Sequence, residues 1–488
     1  MNQSTKIAIV IEQGFGARVL LQTKLLYYLL SQNLDVYILT SGPKSIKRYL
    51  SEHNLNHIPV HTLETCKYDK RNQNTFVRLF KFIRLYSLNT QTMKDNFKLQ
   101  ISDTKLSTNL NTKIFMFLVR ILVNLSRIDI RIIKLFTYIE NKIATVNGNQ
   151  TFFSQYKPDV IITTSIGNFD HDDHILREAK SYSVQTITYI LGWDNTSTRG
   201  HGVNLSDHII AWSPIMKQEL VDIHGIDKQR ITVGGVSHYD AYKDPTYSLW
   251  SKQFLYSKYD IPDHKKLILF GTKSPSSYKS NPEIVQKICH WLNTDPELED
   301  YILICRLHPI YFRDNRGKAG THFGEDWNQI SEEAGANHLI IDYPEIIDGD
   351  LNYFMPSTEI TKLGSLLMHS KISINMFSTL NLEASIFDVP CINVAFQNDN
   401  IHITGFKQAR YNIKVDQNKT HTQRLINTHA TSVANNFNEL LNELKNQIHN
   451  PTSKQSQREK LIKQECHDNL GAAGMTVARL ITKLIQNK

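Results

Sequence analysis

Short apolar runs, each closed by a polar or glycine-bearing turn and most followed by a helix-like segment, recur along the chain and limit what it can fold into. Lys6–Ile11, Asp35–Thr40, Val160–Thr164, Gln185–Leu191, His208–Trp212 and Arg230–Val233 form one set, and Lys266–Phe270, 301–305, 338–342, 371–375 and 390–395 a second. Runs this short and this apolar read as strands buried on both faces, and strands alternating with helices make a parallel sheet covered on both sides. At 488 residues the chain is too long for one ordinary core. The two sets therefore predict two α/β domains, 1–240 and 262–450, with 241–261 as the linker. In the first, Gly14-Phe15-Gly16 is expected as a tight turn before a helix over Ala17–Ser31.

A hydrophobic content of 41% with 21% charged residues describes a soluble globular protein. No run of about 18 apolar residues is present, so no spanning helix is expected. Ile7–Ile11 is too short for the apolar core of a signal peptide. The five cysteines are scattered, odd in number and without a C-x-x-C pair, which predicts reduced thiols in the cytoplasm and neither disulfides nor a zinc site.

The net charge of +8 is unevenly spread: between Lys67 and Lys142 there are 15 Lys/Arg against 5 Asp/Glu, so the remainder is slightly acidic. Residues 67–147 fit neither strand set. Ile114–Val123, interrupted by Arg120 and continued by Arg127, Arg131 and Lys134, reads as an amphipathic basic helix suited to anionic lipid headgroups, which places the protein peripherally on the inner face of the cytoplasmic membrane. The plainer alternative is a packed helical insertion with a solvated basic face. The polar stretch Leu88–Asn111 is expected as a loop. Nucleic acid is not an expected partner, because the charge is not accompanied by an aromatic-interleaved platform or a known module.

The residues with most chemical content sit at strand ends. Arg306-Leu307-His308-Pro309 follows the 301–305 run, and Phe377-Ser378-Thr379, leading into Leu382-Glu383-Ala384, follows 371–375. Hydroxyls and amides at a helix start, with cations from a neighbouring strand end, hold an anion, and a carboxylate one turn into the helix takes ribose hydroxyls. Arg306, His308, Ser378, Thr379 and Glu383 are thus the candidate donor-phosphate residues, joined by Thr272 and Lys273 at the end of the second domain's first strand. The alternatives are a structural Arg/His pair and an ordinary N-cap, which uses the same orphan donors.

In the first domain the polar cluster Leu191–Gly202 follows a strong strand. Asp194 or His201 is the candidate base for an acceptor hydroxyl, Trp193 a candidate stacking surface, and Gly14, Gly16 and Asn195 further acceptor-side candidates. The alternative is a Gly/Asn/Ser turn around a buried tryptophan. His171-Asp172-Asp173-His174 concentrates ligand chemistry, but four adjacent residues cannot all face one ion, and no metal is expected. Gly14-Phe15-Gly16 lacks the third glycine of a dinucleotide fingerprint, and neither a G-x-x-x-x-G-K-[ST] loop nor a G-x-S-x-G elbow occurs.

Taken together, Gly192-Trp193-Asp194-Asn195, Ala211-Trp212, His224-Gly225-Ile226, Val233-Gly234-Gly235, Arg306–Pro309, Ser378-Thr379-Leu380, Glu383-Ala384 and Asp388-Val389-Pro390 resemble the GT-B glycosyltransferase-like proteins of bacterial surface polysaccharide (capsule or O-antigen) synthesis. The His308-Pro309 pair and the Ser378-Thr379 helix start are also similar to those of the CDP-glycerol glycerophosphotransferases of teichoic acid assembly and of bacterial sialyltransferases. The resemblance implies two Rossmann-like domains facing a central cleft, with the basic insertion in the first and the C-terminal helix, 455–488, packing back on the first domain. It implies that His308, Ser378 and Thr379 hold the phosphates of a cytidine nucleotide. The chain departs from the sialyltransferase pattern in having no Asp/Glu-Asp-Gly motif in its first half, which leaves Asp194 as a substitute by position.

The expected activity is metal-independent transfer of a sugar or polyol phosphate from a nucleotide-activated donor to a glycan or lipid-linked acceptor, the nucleotide-sugar being substrate and no cofactor being needed. A UDP-sugar 2-epimerase-like enzyme and a non-catalytic nucleotide-binding subunit are the alternatives.

Overall fold

A computed structural model of the chain describes residues 4–105, 109–164, 171–202, 206–275, 277–312, 327–334, 338–398 and 412–486. The chain divides into two compact units: unit 1 is Met1–Ser237, Gly349–Asn352 and Ala472–Lys488, and unit 2 is His238–Asp348 and Tyr353–Gly471.

Unit 1 is built on seven strands: β1 (Thr5–Ile11), β2 (Leu34–Thr40), β3 (Val60–Thr62), β4 (Val160–Thr163), β5 (Gln185–Tyr189), β6 (His208–Ala211) and β7 (Ile231–Val233). They pair in the order β3-β2-β1-β4-β5-β6-β7, every pair parallel. Unit 2 holds β8 (Lys266–Gly271), β9 (Tyr301–Arg306), β10 (Leu339–Asp342), β11 (Ser370–Asn375), β12 (Cys391–Val394) and β13 (Ser432–Ala434), in the order β10-β9-β8-β11-β12-β13, again all parallel. The protein is therefore an α/β chain of two Rossmann-like units. Side chains alternate across the second sheet with the strand period of two: Ile268 and Phe270 enter one core with Leu303 and Cys305, while Leu267 and Leu269 enter the other with Ile302 and Ile304.

In each sheet the first strand lies between the second and the fourth, so the winding reverses at β1/β4 and at β8/β11. Ligands of doubly wound sheets bind beyond the carboxyl ends of the strands at such a reversal.

Several local expectations change. The helix read over Ala17–Ser31 is two, Gly14–Leu20 and Lys24–Ser31, because the Thr23 hydroxyl donates to Val19 O (3.1 Å) and accepts from Leu25 N (3.3 Å), ending one helix and capping the next. Gln91–Lys105, inside the expected loop, is a helix whose Phe97 packs on Tyr86 with ring centroids 5.0 Å apart; residues 106–108 of that stretch lie outside the described residues. The edge strands β3 and β13 were not anticipated. The stretch read as linker carries helix Lys252–Lys258 within unit 2. The C-terminal stretch is two helices, Gln455–Cys466 in unit 2 and Ala473–Gln486 in unit 1, separated by the left-handed residues His467 and Gly471.

Between β3 and β4 runs a helical layer that includes Thr75–Tyr86, Gln91–Lys105, Leu110–Ile128 and Ile130–Ala144. It has a small core of Phe97, Met116, Val119 and Val123. A buried ion network ties it to helix Asp172–Ser181: Arg84 binds Glu140 (2.9 Å) and Asp173, and Arg177 binds Glu140 (2.8 Å).

Candidate functional site

Three strand ends of unit 2 meet at its winding reversal. β8 ends at Gly271, where a Cβ would lie 2.6 Å from the Leu380 side chain, so glycine lets the helix that follows β11, Leu380–Ile386, approach. Thr272 locks the neighbouring strand end: its amide donates to Arg306 O (3.0 Å) and its hydroxyl accepts from the His308 amide (2.7 Å). Lys273 spans the reversal, its Nζ donating to Met376 O (3.1 Å) and pairing with Asp416 (2.5 Å), which also takes Lys419. Burial lowers the Lys273 pKa and Asp416 opposes the shift. Lys273 and Lys419 thus share the one Asp416 carboxylate.

His308 accepts from the Ile310 amide at Nδ1 (3.1 Å), which puts the ring proton on Nε2. Among the described residues nothing is bonded to that Nε2. Burial, reinforced by Lys273, lowers the His308 pKa to about 4, so at neutral pH the ring is an uncharged, directed donor.

The Phe377–Thr379 turn is held from beneath by residues the sequence reading passed over. Phe377 sits in the left-handed region at φ 53°, and its amide donates to Asn393 Oδ1 (2.8 Å). The Ser378 amide donates to Asn375 Oδ1 (3.0 Å), and Asn381 Nδ2 donates to both Asn375 Oδ1 and Asn393 Oδ1 (3.0 Å each). Asn393 Nδ2 returns a bond to Asn381 Oδ1 (2.9 Å), and all three asparagines are fully buried. A satisfied network of this kind fixes a strained turn where apolar side chains would not. The Ser378 hydroxyl accepts from the Leu380 amide (3.2 Å) and so caps the helix, whereas Thr379 is exposed and its side chain makes no capping bond. Glu383 is buried and accepts from the Tyr242 hydroxyl (2.7 Å).

Arg306 departs most from its expected role. Its guanidinium pairs with Asp342 and with Glu359 (2.6 Å), and Lys362 closes the network on the same two carboxylates (3.2 and 2.6 Å). The fork is spent on joining β9, β10 and helix Thr358–His369. Thr272, Lys273, His308, Ser378 and Thr379 are brought to one edge; Arg306 belongs to the framework behind it.

In unit 1 the expected residues disperse. Trp193 is buried at 3% exposure and offers no stacking surface. Asn195 Oδ1 accepts from the Gly192 amide (2.9 Å), and the Asp194 carboxylate accepts from Thr198 Oγ1 (3.2 Å) and Asn195 Nδ2 (3.2 Å), so the cluster organises its own turn. His201 is buried beside His224, ring centroids 5.5 Å apart, and burial lowers its pKa to about 3, which removes it as a solvent-accessible base. Gly14 opens helix Gly14–Leu20, and Gly16 lies at the β1/β4 reversal, where a Cβ would stand 3.3 Å from Thr164 Oγ1.

The group that does stand at this reversal was missed. Glu12, directly after β1, pairs with His171 Nδ1 (2.9 Å), and Asp69 pairs with His171 Nε2 (2.8 Å). Burial works against the charged ring, but the bonds and charge of Glu12 and Asp69 prevail and raise the His171 pKa to about 9. Its place at the carboxyl end of the first strand, where ligands of doubly wound sheets bind, is the signal that could have found Glu12. The adjacent ligand-type residues separate: Asp173 faces Arg84, and His174 stacks on Tyr68 (4.9 Å) and bonds Asn72 (2.9 Å). Among the described residues, no three His, Cys, Asp or Glu side chains form a metal site.

No family model and no curated protein matches the chain. Solved structures do. The UDP-GlcNAc 2-epimerase from Neisseria meningitidis bound to UDP-GlcNAc aligns with TM-score 0.54 at 12% identity, over 98% of this chain and 100% of that one. The S. aureus MnaA–UDP complex aligns with TM-score 0.52 at 12% identity, over 99% and 97%. A putative UDP-N-acetylglucosamine 2-epimerase from Listeria monocytogenes gives 0.53 at 10%, over 100% and 98%. At these identities the likeness is one of fold, and it agrees with two Rossmann-like units of the GT-B kind.

Proposed function

We propose that the chain is a GT-B glycosyltransferase that takes a nucleotide-activated sugar, or polyol phosphate, at unit 2 and passes it to a glycan or lipid-linked acceptor in surface polysaccharide synthesis. The observation that carries this is the β8/β11 edge: a neutral His308 whose Nε2–H is bonded to nothing among the described residues, the exposed Thr379 hydroxyl, and the Lys273 and Lys419 ammonium groups gathered on Asp416. Such donors, fixed before the reaction, stabilise charge developing on a departing nucleotide phosphate without reorganising. Arg306 acts through the framework, by holding the β9 end that presents His308.

In unit 1, Glu12, directly after β1, forms an ion pair with His171, a candidate acid/base pair, whereas the Asp194 carboxylate is occupied by its own turn. A pair of acid/base groups near the sugar is what a 2-epimerase needs, and the fold likeness to UDP-GlcNAc 2-epimerases favours that as the second reading.

The test is calorimetric titration of wild type and His308→Ala with UDP, CDP, CMP, GDP and ADP. One nucleotide is expected to bind, with affinity lowered about tenfold or more in the variant, the loss of one charge-directed hydrogen bond. No binding to any of the five, or equal affinity in the variant, rejects the assignment. Incubation with UDP-GlcNAc alone, followed by NMR of the sugar, separates the readings: the 2-epimer in the absence of acceptor establishes the epimerase.

A further inference from the structure

Eleven of the fifteen large apolar side chains exposed among the described residues lie between Phe76 and Tyr138. Most are on one helix. Leu110–Ile128 buries Met116, Val119, Val123 and Ser126, while Ile114, Phe117, Leu118, Ile121, Leu125 and Ile128 are 42% to 80% exposed. At helical spacing these six fall within an arc of about 100° directly opposite the buried face. The stripe is thus left over after the layer's own core has formed.

Its surroundings are cationic. Lys113, Arg120 and Arg127 recur every two turns along one flank, and the helix carries no acidic residue. Arg120 and Arg127 join Lys94 and Lys98 of helix Gln91–Lys105 around a surface groove of about 470 Å³, floored by Phe97. Among the described side chains, Asp95 is paired with Lys98 (3.3 Å), Asp129 with Arg131 (2.6 Å), and Glu140 with Arg84 and Arg177 in the interior. The next helix, Ile130–Ala144, continues the pattern with exposed Lys134, Leu135, Tyr138 and Lys142.

We propose that this face docks on a lipid bilayer bearing anionic headgroups. Helix Leu110–Ile128 lies in the plane of the surface, its stripe at the headgroup–acyl boundary and its flanking cations on lipid phosphates; the groove seats one headgroup phosphate. No described helix is long and apolar enough to cross a membrane. Charge selects the bilayer over a second copy of the chain, because stripe-to-stripe pairing would bring two rows of Lys113, Arg120 and Arg127 together on helices that carry no acid of their own. As a means of reaching a lipid-linked acceptor, the face rests on the transferase reading; as a lipid surface it is measured without turnover, so either can fail alone.

The test floats the full chain with vesicles of phosphatidylcholine alone or mixed with phosphatidylglycerol. Binding is expected only to the anionic vesicles and is expected to weaken as salt is raised. Phe117→Ser with Ile121→Ser, both solvent-facing, lowers partition about tenfold or more while nucleotide affinity and circular dichroism stay unchanged. Lys113→Gln and Arg120→Gln each lower it about fivefold. Absence of binding to anionic vesicles, or partition indifferent to all these changes, overturns the proposal. So does a wild-type dimer in lipid-free ultracentrifugation that the Phe117/Ile121 variant converts to monomer, since the stripe would then be a protein interface.

Discussion

His171 shows how a single ring can report its environment. Held between Glu12 and Asp69, it keeps its proton in the folded chain up to about pH 9, against an ordinary value of 6.5. The folded state therefore binds a proton that the unfolded chain releases, and the stabilisation is complete below pH 6.5 and lost as pH rises through about 9. His171→Gln should thus lower the melting temperature most near pH 6 and progressively less toward pH 9.5. Parallel melting curves across that range would reject the ion triad. In the other unit, the placement of Thr272, Lys273, His308, Ser378 and Thr379 just beyond strand ends was legible, because position after an apolar run is local information, while their role in holding phosphate is the proposal that the nucleotide titration tests. Arg306 shared that position and was misread, because what commits it is Asp342 and Glu359, far off in sequence. Asn375, Asn381 and Asn393 gave no signal, since a buried asparagine looks like any other until its partners are in place.

Elements were legible in proportion to their length and burial. The long apolar runs became central strands, while β3 and β13, three residues each at sheet edges, carry too few side chains to show a period. Helix Gln91–Lys105 was hidden by its polar composition, although Met93, Phe97 and Ile101 recur one turn apart. The helical layer is fastened by charge as well as by apolar contact. Arg84 and Arg177 share Glu140, all three nearly inaccessible to water. Removing the shared acid leaves Asp173 alone to balance two buried guanidinium groups, so Glu140→Ala should destabilise unit 1 by about 3–5 kcal/mol, the cost of breaking a buried pair from one side. Denaturant unfolding measures it, and a loss below about 1 kcal/mol would mean that water reaches the arginines. The double change Glu140→Leu with Arg84→Met should recover part of the loss, because an apolar replacement leaves fewer charges unpaired.

At the scale of the molecule, strand–helix alternation was enough to expect two parallel sheets, but neither the strand order with its reversals nor the assignment of chain ends to units follows from alternation, because both depend on contacts distant in sequence. Helix Ala473–Gln486 buries Val477, Ala478, Ile481 and Ile485 within unit 1. It packs on helix Lys24–Ser31 and comes so close to the end of β7 that a Cβ on Gly234 would meet the Val477 side chain at 2.7 Å. Burial of side chains of this size stabilises by about 1.5–3 kcal/mol each. A chain ending at Gly471 therefore loses a cover that unit 1 needs and unit 2 does not. Hydrogen exchange on that truncated protein should show faster exchange across Lys24–Ser31 and β7, with β8, β9 and β11 protected as before. Faster exchange in both sheets would mean that the units unfold as one. Unchanged exchange in unit 1 would mean that the last helix adds nothing to its core. The expected outcome, loosening confined to the first sheet, would leave the His308 edge intact in a destabilised protein, so nucleotide affinity should survive the truncation even as the first transition moves to lower temperature.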